Sequence, residues 1–138
     1  MKVKIKLIEG GKLPEFKHSD DACCDCYARV GTEVKAGERK LVPLGFALEL
    51  PIDYEAVIRP RSGLTSKGID SAIGTIDAGY RGEVMACIIN NSDEDIDILE
   101  GARICQMAIR KVPAIEFEVY QSLSTTERGD KGFGSTGV

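Results

Sequence analysis

Tryptophan is absent from this chain of 138 residues, and histidine occurs once, as His18. A lone imidazole leaves little material for mechanisms that pair His with a serine or cysteine nucleophile. Basic residues are outnumbered, 18 Lys and Arg against 22 Asp and Glu, for a net charge of −4. Such a chain lacks the electrostatic footprint of a duplex DNA or RNA binder, so any phosphate contact must come from a few placed groups. No nucleic-acid partner is expected. No apolar run approaches a membrane span, and the opening residues alternate Lys with Val and Ile, unlike a signal peptide. The expectation is therefore a cytoplasmic protein without a membrane partner. Of the five cysteines, Cys23, Cys24 and Cys26 crowd together, but neighbours on a strand face opposite sides and cannot easily share a metal. Buried, reduced thiols are expected instead.

What is present is enough apolar residue, 43%, to pack one domain. Residues 2–7 alternate Lys with Val, Ile and Leu, a strand with one wet face suited to a sheet edge or a subunit boundary. Gly10 and Gly11 stop it. Residues 22–28 read as a short apolar strand interrupted by Asp25, and residues 32–37 as a turn-rich connector. Residues 41–50 alternate as one strand with Leu44, Phe46, Leu48 and Leu50 on a single face. Residues 56–58 start another strand, and residues 103–109 form one in which Arg103 and Gln106 are the polar members. Strands recur at roughly ten-residue spacing with turn signals between them, so the fold class is all-β, a sandwich or barrel. The one helical segment is residues 62–67, closed by Gly68.

Five stretches carry candidate chemistry. Gly74-Thr75-Ile76-Asp77-Ala78-Gly79-Tyr80-Arg81-Gly82-Glu83 predicts a hairpin with Ala78-Gly79 at its tip, glycine there supplying φ > 0. Asp77 follows apolar Ile76 and is expected to be partly shielded yet open to a ligand; the plain alternative is an Asp at a turn. Arg61-Ser62-Gly63 opens the short helix and offers amides, a hydroxyl and a guanidinium to an anion, or else is a capped surface turn. Gln106 can donate its amide to a ligand or to a backbone carbonyl. Asp25 either faces solvent or orients the water shell of a cation. Beyond Tyr120 the chain turns to Ser, Thr and Gly, a tail costly to order and expected to be mobile when empty. Arg128, Phe133, Ser135 and Thr136 on such an arm suit closure over a flat ring and phosphates, the alternative being an inert tail.

In order and spacing, the Asp25 strand, Pro60-Arg61-Ser62-Gly63, residues 74–82, Arg103-Ile104-Cys105-Gln106 and Gly132-Phe133-Gly134 resemble the five motifs of the trimeric dUTP pyrophosphatases, the dUTPases. The resemblance runs from about residue 21 to 137. It implies a distorted jelly-roll or β-clip barrel over residues 1–121, with one short helix and a flexible glycine-rich arm over residues 122–138 that closes on the active site. It implies hydrolysis of dUTP to dUMP and pyrophosphate with Mg²⁺, limiting uracil incorporation into DNA and supplying dUMP for thymidylate synthesis. Relatives are homotrimers whose sites are shared between chains. By the same resemblance Asp77 is the general base, Thr75, Ile76 and Met85 read uracil through their backbone, and Tyr80 lies against the deoxyribose. Arg61, Ser62, Gly63 and Gln106 would take phosphates, and Asp25 would hold Mg²⁺ through water. Phe133 would stack on uracil beside Gly134, with Arg128, Ser135 and Thr136 on the γ-phosphate.

Three positions depart from the family pattern. Ala22-Cys23-Cys24-Asp25-Cys26 stands for Ala-Gly-Tyr-Asp-Leu, Ser71 stands at a substrate contact where many relatives have Asn, and Lys131 replaces a glycine of the arm. The rival readings are a dCTP deaminase, which carries glutamate where this chain has Cys87, and a non-catalytic nucleotide-binding regulator on the same scaffold.

Overall fold

A computed structural model describes residues 1–132; Phe133, Gly134, Ser135 and Thr136 lie outside them. The elements are β1 (Lys4–Leu7), β2 (Cys24–Tyr27), β3 (Thr32–Val34), β4 (Arg39–Pro43), β5 (Phe46–Glu49), β6 (Tyr54–Arg59), α1 (Ser62–Thr65), β7 (Ile69–Ser71), β8 (Gly74–Ile76), β9 (Met85–Asn90), β10 (Ile96–Ile98) and β11 (Arg103–Lys111). Every pairing is antiparallel. The largest sheet runs β2-β11-β6-β8, a second runs β4-β9-β7, and the pairs β1-β5 and β10-β3 complete the barrel. The all-β class with one short helix is as the strand spacing predicts. Among the described residues no helix is long and apolar enough to cross a membrane.

The core lies between the sheets, where Leu44, Phe46, Ile58, Val34, Val42, Val84 and Ile88 are almost wholly buried. On β2 the pattern alternates: Cys24 and Cys26 point inward while Asp25 and Tyr27 stay half-buried on the other face. One buried polar residue, Asn90, is satisfied by the Val34 and Glu94 carbonyls (3.0 and 2.8 Å) and by the Ser92 amide and hydroxyl. Without that amide two carbonyls would lose their partner, at a cost of about 1–3 kcal/mol for a buried group.

Three expectations are corrected. Residues 32–34 are not connector but a strand, β3, paired with β10; with three residues and one buried side chain its period is too short to read. The alternating run 41–50 is two strands in different sheets, although Leu44, Phe46, Leu48 and Leu50 are buried as expected. The break falls at Gly45, whose φ of 77° no neighbouring side-chain residue adopts cheaply. The third correction is the hairpin. β8 and β9 do not pair with each other: β8 borders β6, and β9 lies between β4 and β7. A turn does form, with the Tyr80 amide on the Asp77 carbonyl at 3.0 Å, but Gly79 is not among the glycines at positive φ. The segment crosses from one sheet to the other because Val84 is claimed by the β4–β5 corner, donating to Phe46 O (2.8 Å) and accepting from Leu44 N (3.0 Å).

That corner is tight. A Cβ added at Gly45 would lie 2.3 Å from Gly11 Cα, whereas one at Gly37, also at positive φ, would meet nothing within 4 Å. Gly37→Ala is therefore expected to cost about 1 kcal/mol of strain alone, and Gly45→Ala roughly 3 kcal/mol or more once backbone overlap is added. Urea unfolding of the two variants measures this; equal losses would show that the corner relaxes freely.

Candidate active site

Two clefts border different parts of the large sheet, one on its outer face and the other at its β8 edge. Directly opposed residues on neighbouring strands share a face, so Asp25, Gln106 and Arg59 form one outward row across β2, β11 and β6. The next row, Cys24, Met107, Ile58 and Gly74, faces the other way.

The outward row floors the first cleft, of about 530 Å³, which also takes in Arg61, Ser62, Gly63 and Arg103. Its basic side chains are Lys17, Arg59, Arg61 and Arg103 against the carboxylates Glu15, Asp21 and Asp25, a locally positive site on a chain of net charge −4. Asp25 is clamped, with Arg61 Nε on Oδ1 and Arg103 on Oδ2, both at 3.1 Å. A bulge in β11 makes this possible. The register slips between Arg103 and Cys105, so Ile104 and Cys105 are both buried and Arg103 returns to the outer face. Arg61 also donates to the Arg103 carbonyl at 3.0 Å, which fixes its fork beside α1. Gln106 donates Nε2–H to the Pro60 carbonyl at 2.8 Å, leaving its second N–H for a ligand. At the rim the His18 amide donates to Asp21 (2.8 Å) and holds that carboxyl below the usual carboxylate range.

The second cleft, of about 220 Å³, is bordered by Ile58, Gly74, Thr75, Ile76, Asp77, Tyr80, Val84 and Met85. β8 is the end strand of its sheet, so one edge of its backbone at Thr75 and Ile76 has no strand partner. Such an edge presents alternating donors and acceptors to whatever enters. Gly74 keeps the entrance open above Ile58, where a Cβ would stand 3.7 Å from the Ile58 Cβ. Asp77 is exposed in the single chain, not partly shielded as its neighbours suggest.

The structure thus groups Asp25, Arg61, Ser62, Gly63 and Gln106 in one cleft and Thr75, Ile76, Asp77, Tyr80 and Met85 in the other. Ser71 joins neither; it is buried in β7. Arg128 is exposed, its Nε donating to the Lys131 carbonyl at 3.0 Å, and borders neither cleft. Reading the sequence missed the two-arginine clamp on Asp25, because a bulge that changes the facing of Arg103 leaves no mark in the residue pattern.

A sequence model of the dUTPase family matches residues 9–137. The chain belongs to the dUTPase family. It is 47% identical to the deoxyuridine 5′-triphosphate nucleotidohydrolase of Rickettsia felis, covering 99% of this chain and 97% of that one. With the enzyme of that name from Gloeothece citriformis the identity is 44%, over 100% and 98%. Among solved structures, the dUTPase of Staphylococcus bacteriophage 80alpha with dUpNHpp superposes with a TM-score of 0.93 at 27% identity, over 99% of each chain. The dUTPase barrel is the jelly-roll, β-clip fold that the motifs imply.

In this dUTPase three thiols pack behind the Asp25 row: Cys24, Cys26 and Cys105 are buried, while Cys23 and Cys87 are half-exposed, and all five are free. Hydrogen bonding with Cys105 and Cys24, together with burial, pushes the Cys26 thiol up. Iodoacetamide on the native protein at pH 8 is therefore expected to modify Cys23 and Cys87 alone, and all five after unfolding. Mass spectrometry reads the sites; native labelling of Cys26 would show that the sheet opens there.

Proposed function

We propose that this dUTPase hydrolyses dUTP to dUMP and pyrophosphate with Asp77 as general base, in a homotrimer that joins the nucleoside cleft of one chain to the phosphate cleft of another. The observation that carries the reading is the segregation of the two clefts. Ile58 and Arg59 are consecutive on β6, yet each borders a different cleft, on a different face. The two clefts share no lining residue, and on this reading a second copy brings its Arg61, Ser62, Gly63 and Gln106 to phosphates extending from the first.

The chain beyond β11 supports assembly. Ile115, Phe117 and Val119 alternate with Glu116 and Glu118 and are 68%, 92% and 97% exposed, an apolar stripe that one chain leaves uncovered. The arm beyond Glu127 then closes over the site with Arg128, Phe133, Gly134, Ser135 and Thr136. Five free thiols and nucleotide chemistry fit a cytoplasmic location.

Each residue's part follows from its chemistry. Uracil offers acceptor, donor and acceptor along its pairing edge, matched by the open backbone of Thr75 and Ile76 with Met85 across the cleft; cytosine would leave buried groups unpaired. Tyr80 packs against the deoxyribose and leaves no room for a 2′-hydroxyl. Asp77 takes a proton from the attacking water as its oxygen bonds the α-phosphorus, and the bond to the bridging oxygen breaks to release pyrophosphate. Arg61 and Gln106 grip the departing phosphates.

Among the described residues no three His, Cys, Asp or Glu side chains cluster as a metal cage. Asp25 nevertheless fits Mg²⁺ held through water, since each of its oxygens keeps a lone pair beyond its arginine and a hard ion takes its remaining ligands from phosphates and water. Mg²⁺, when bound, supplies charge neutralisation and fixes the triphosphate for in-line attack.

Asp77→Asn is expected to bind dUpNHpp as the parent does and to lose at least ~100-fold in kcat, measured by pyrophosphate release. Parent-like turnover would remove Asp77 from the chemistry. A chain ending at Glu127 is expected to keep its oligomeric state by sedimentation while hydrolysis falls at least ~10-fold; normal hydrolysis would leave the arm without a catalytic part.

A further inference from the structure

The loop that carries Asp77 and Tyr80 is held from behind by a residue pair that borders neither cleft. Glu83 turns its carboxylate away from the nucleoside cleft, toward the β4–β5 corner. There Oε1 accepts from Arg29 Nε at 2.7 Å and from the Gly45 amide at 3.0 Å, while Oε2 accepts from the second guanidinium nitrogen at 3.2 Å. This is a two-pronged, partly buried pair, in which Arg29 and Glu83 side chains keep 27% and 22% of their exposure. Such a fork fixes orientation as well as distance.

The other end of Glu83 faces the site. Its backbone carbonyl accepts from the Tyr80 hydroxyl at 3.0 Å. The Tyr80 ring lies across Gly82, where a Cβ would stand 2.3 Å from the hydroxyl oxygen, so the ring occupies space that only glycine leaves. The Tyr80 amide in turn donates to the Asp77 carbonyl at 3.0 Å, and Arg81 ties the same turn through the Ala78 carbonyl. A continuous chain of bonds therefore runs from Arg29 through Glu83 and Tyr80 to Asp77. The loop has two glycines and exposed side chains at Asp77, Tyr80 and Arg81, so little else restrains its middle.

We propose that Arg29 and Glu83 are positioning residues for nucleoside selection: they lock the Glu83 peptide, which seats the Tyr80 ring against the sugar and sets the turn bearing Asp77. The proposal rests on the reading of Asp77 and Tyr80 given above. Neither Arg29 nor Glu83 touches substrate. Releasing the clamp lets Tyr80 swing, which weakens packing on deoxyribose and admits the larger ribose.

A residue that only stabilises the barrel would lower the active fraction, reducing kcat for dUTP and UTP alike and leaving KM and their ratio untouched. The test is steady-state kinetics with both nucleotides on Glu83→Ala, Glu83→Gln and Arg29→Lys. For Glu83→Ala the expected result is a ~10-fold rise in KM for dUTP and a ~10-fold fall in the dUTP-to-UTP ratio of kcat/KM. Glu83→Gln, which keeps the shape and the Gly45 bond, is expected to restore part of both. Should Glu83→Ala fail to fold, Arg29→Lys carries the test, since an ammonium keeps the charge but cannot span the carboxylate as a fork. Unchanged KM and unchanged selectivity in the folded variants would overturn the proposal. Asp77→Asn assayed alongside separates the two failures. If it is inactive while the clamp variants keep parent selectivity, only the clamp is wrong; if it turns over normally, the reading of the loop itself fails.

Discussion

β11 is hydrogen-bonded on both sides, by β2 and by β6, and the facing of its side chains decides where chemistry can sit. A strand so enclosed cannot slip by one residue without turning the polar Gln106 side chain toward the core. Gln106 is thereby committed to the outer face, in line with Asp25 and Arg59. The bulge beside Cys105 is where the register of β11 against β2 shifts, and it shifts in favour of the site. Arg103 reaches Asp25 only because Ile104 is absorbed into the core out of turn. Asp25 is largely buried beneath the two guanidiniums, and desolvating its carboxylate offsets much of the attraction it gains. The effect of the clamp is geometric: Asp25 holds two guanidiniums apart and aims one of them, Arg61, beside the Ser62-Gly63 turn.

The second constraint is the β4–β5 corner. Gly11 and Gly45 approach so closely that neither tolerates a side chain, and the gap they leave is filled by the Glu83 carboxylate and the Val84 backbone. The segment from Asp77 to Val84 consequently ends at a rigid anchor in one sheet while it begins at the open edge of another. A tight hairpin would have placed Asp77 at the tip of a ribbon. A crossing loop instead hangs it beside a backbone edge with no strand partner.

Much of this was legible in the residues. The apolar residues of β5 and β11 stand out because those strands are largely buried, and the Asp25, Arg61-Gly63, Gln106 and Asp77 stretches are the ones the fold gathers into two clefts. What escaped sequence reading shares a physical cause. β3 is too short to show a period, the break at Gly45 depends on a glycine far off in sequence, and the partners of β8 and β9 are set by long-range pairing. The bulge in β11 and the Glu83–Arg29 pair likewise depend on contacts between residues dozens of positions apart, which local pattern does not encode.

The same alternation that orders the site bears on the proposed assembly. On the proposed reading, base recognition belongs to the open β8 edge and phosphate binding to the outward row of β2, β11 and β6, so that two copies combine around one extended nucleotide. The stretch after β11 carries Ile115, Phe117 and Val119 exposed, apolar surface of the kind that marks an interaction site. In the proposed assembly a second copy meets both demands at once, covering the stripe and delivering the phosphate row to the nucleoside cleft. Assembly and completion of the site would then be one event.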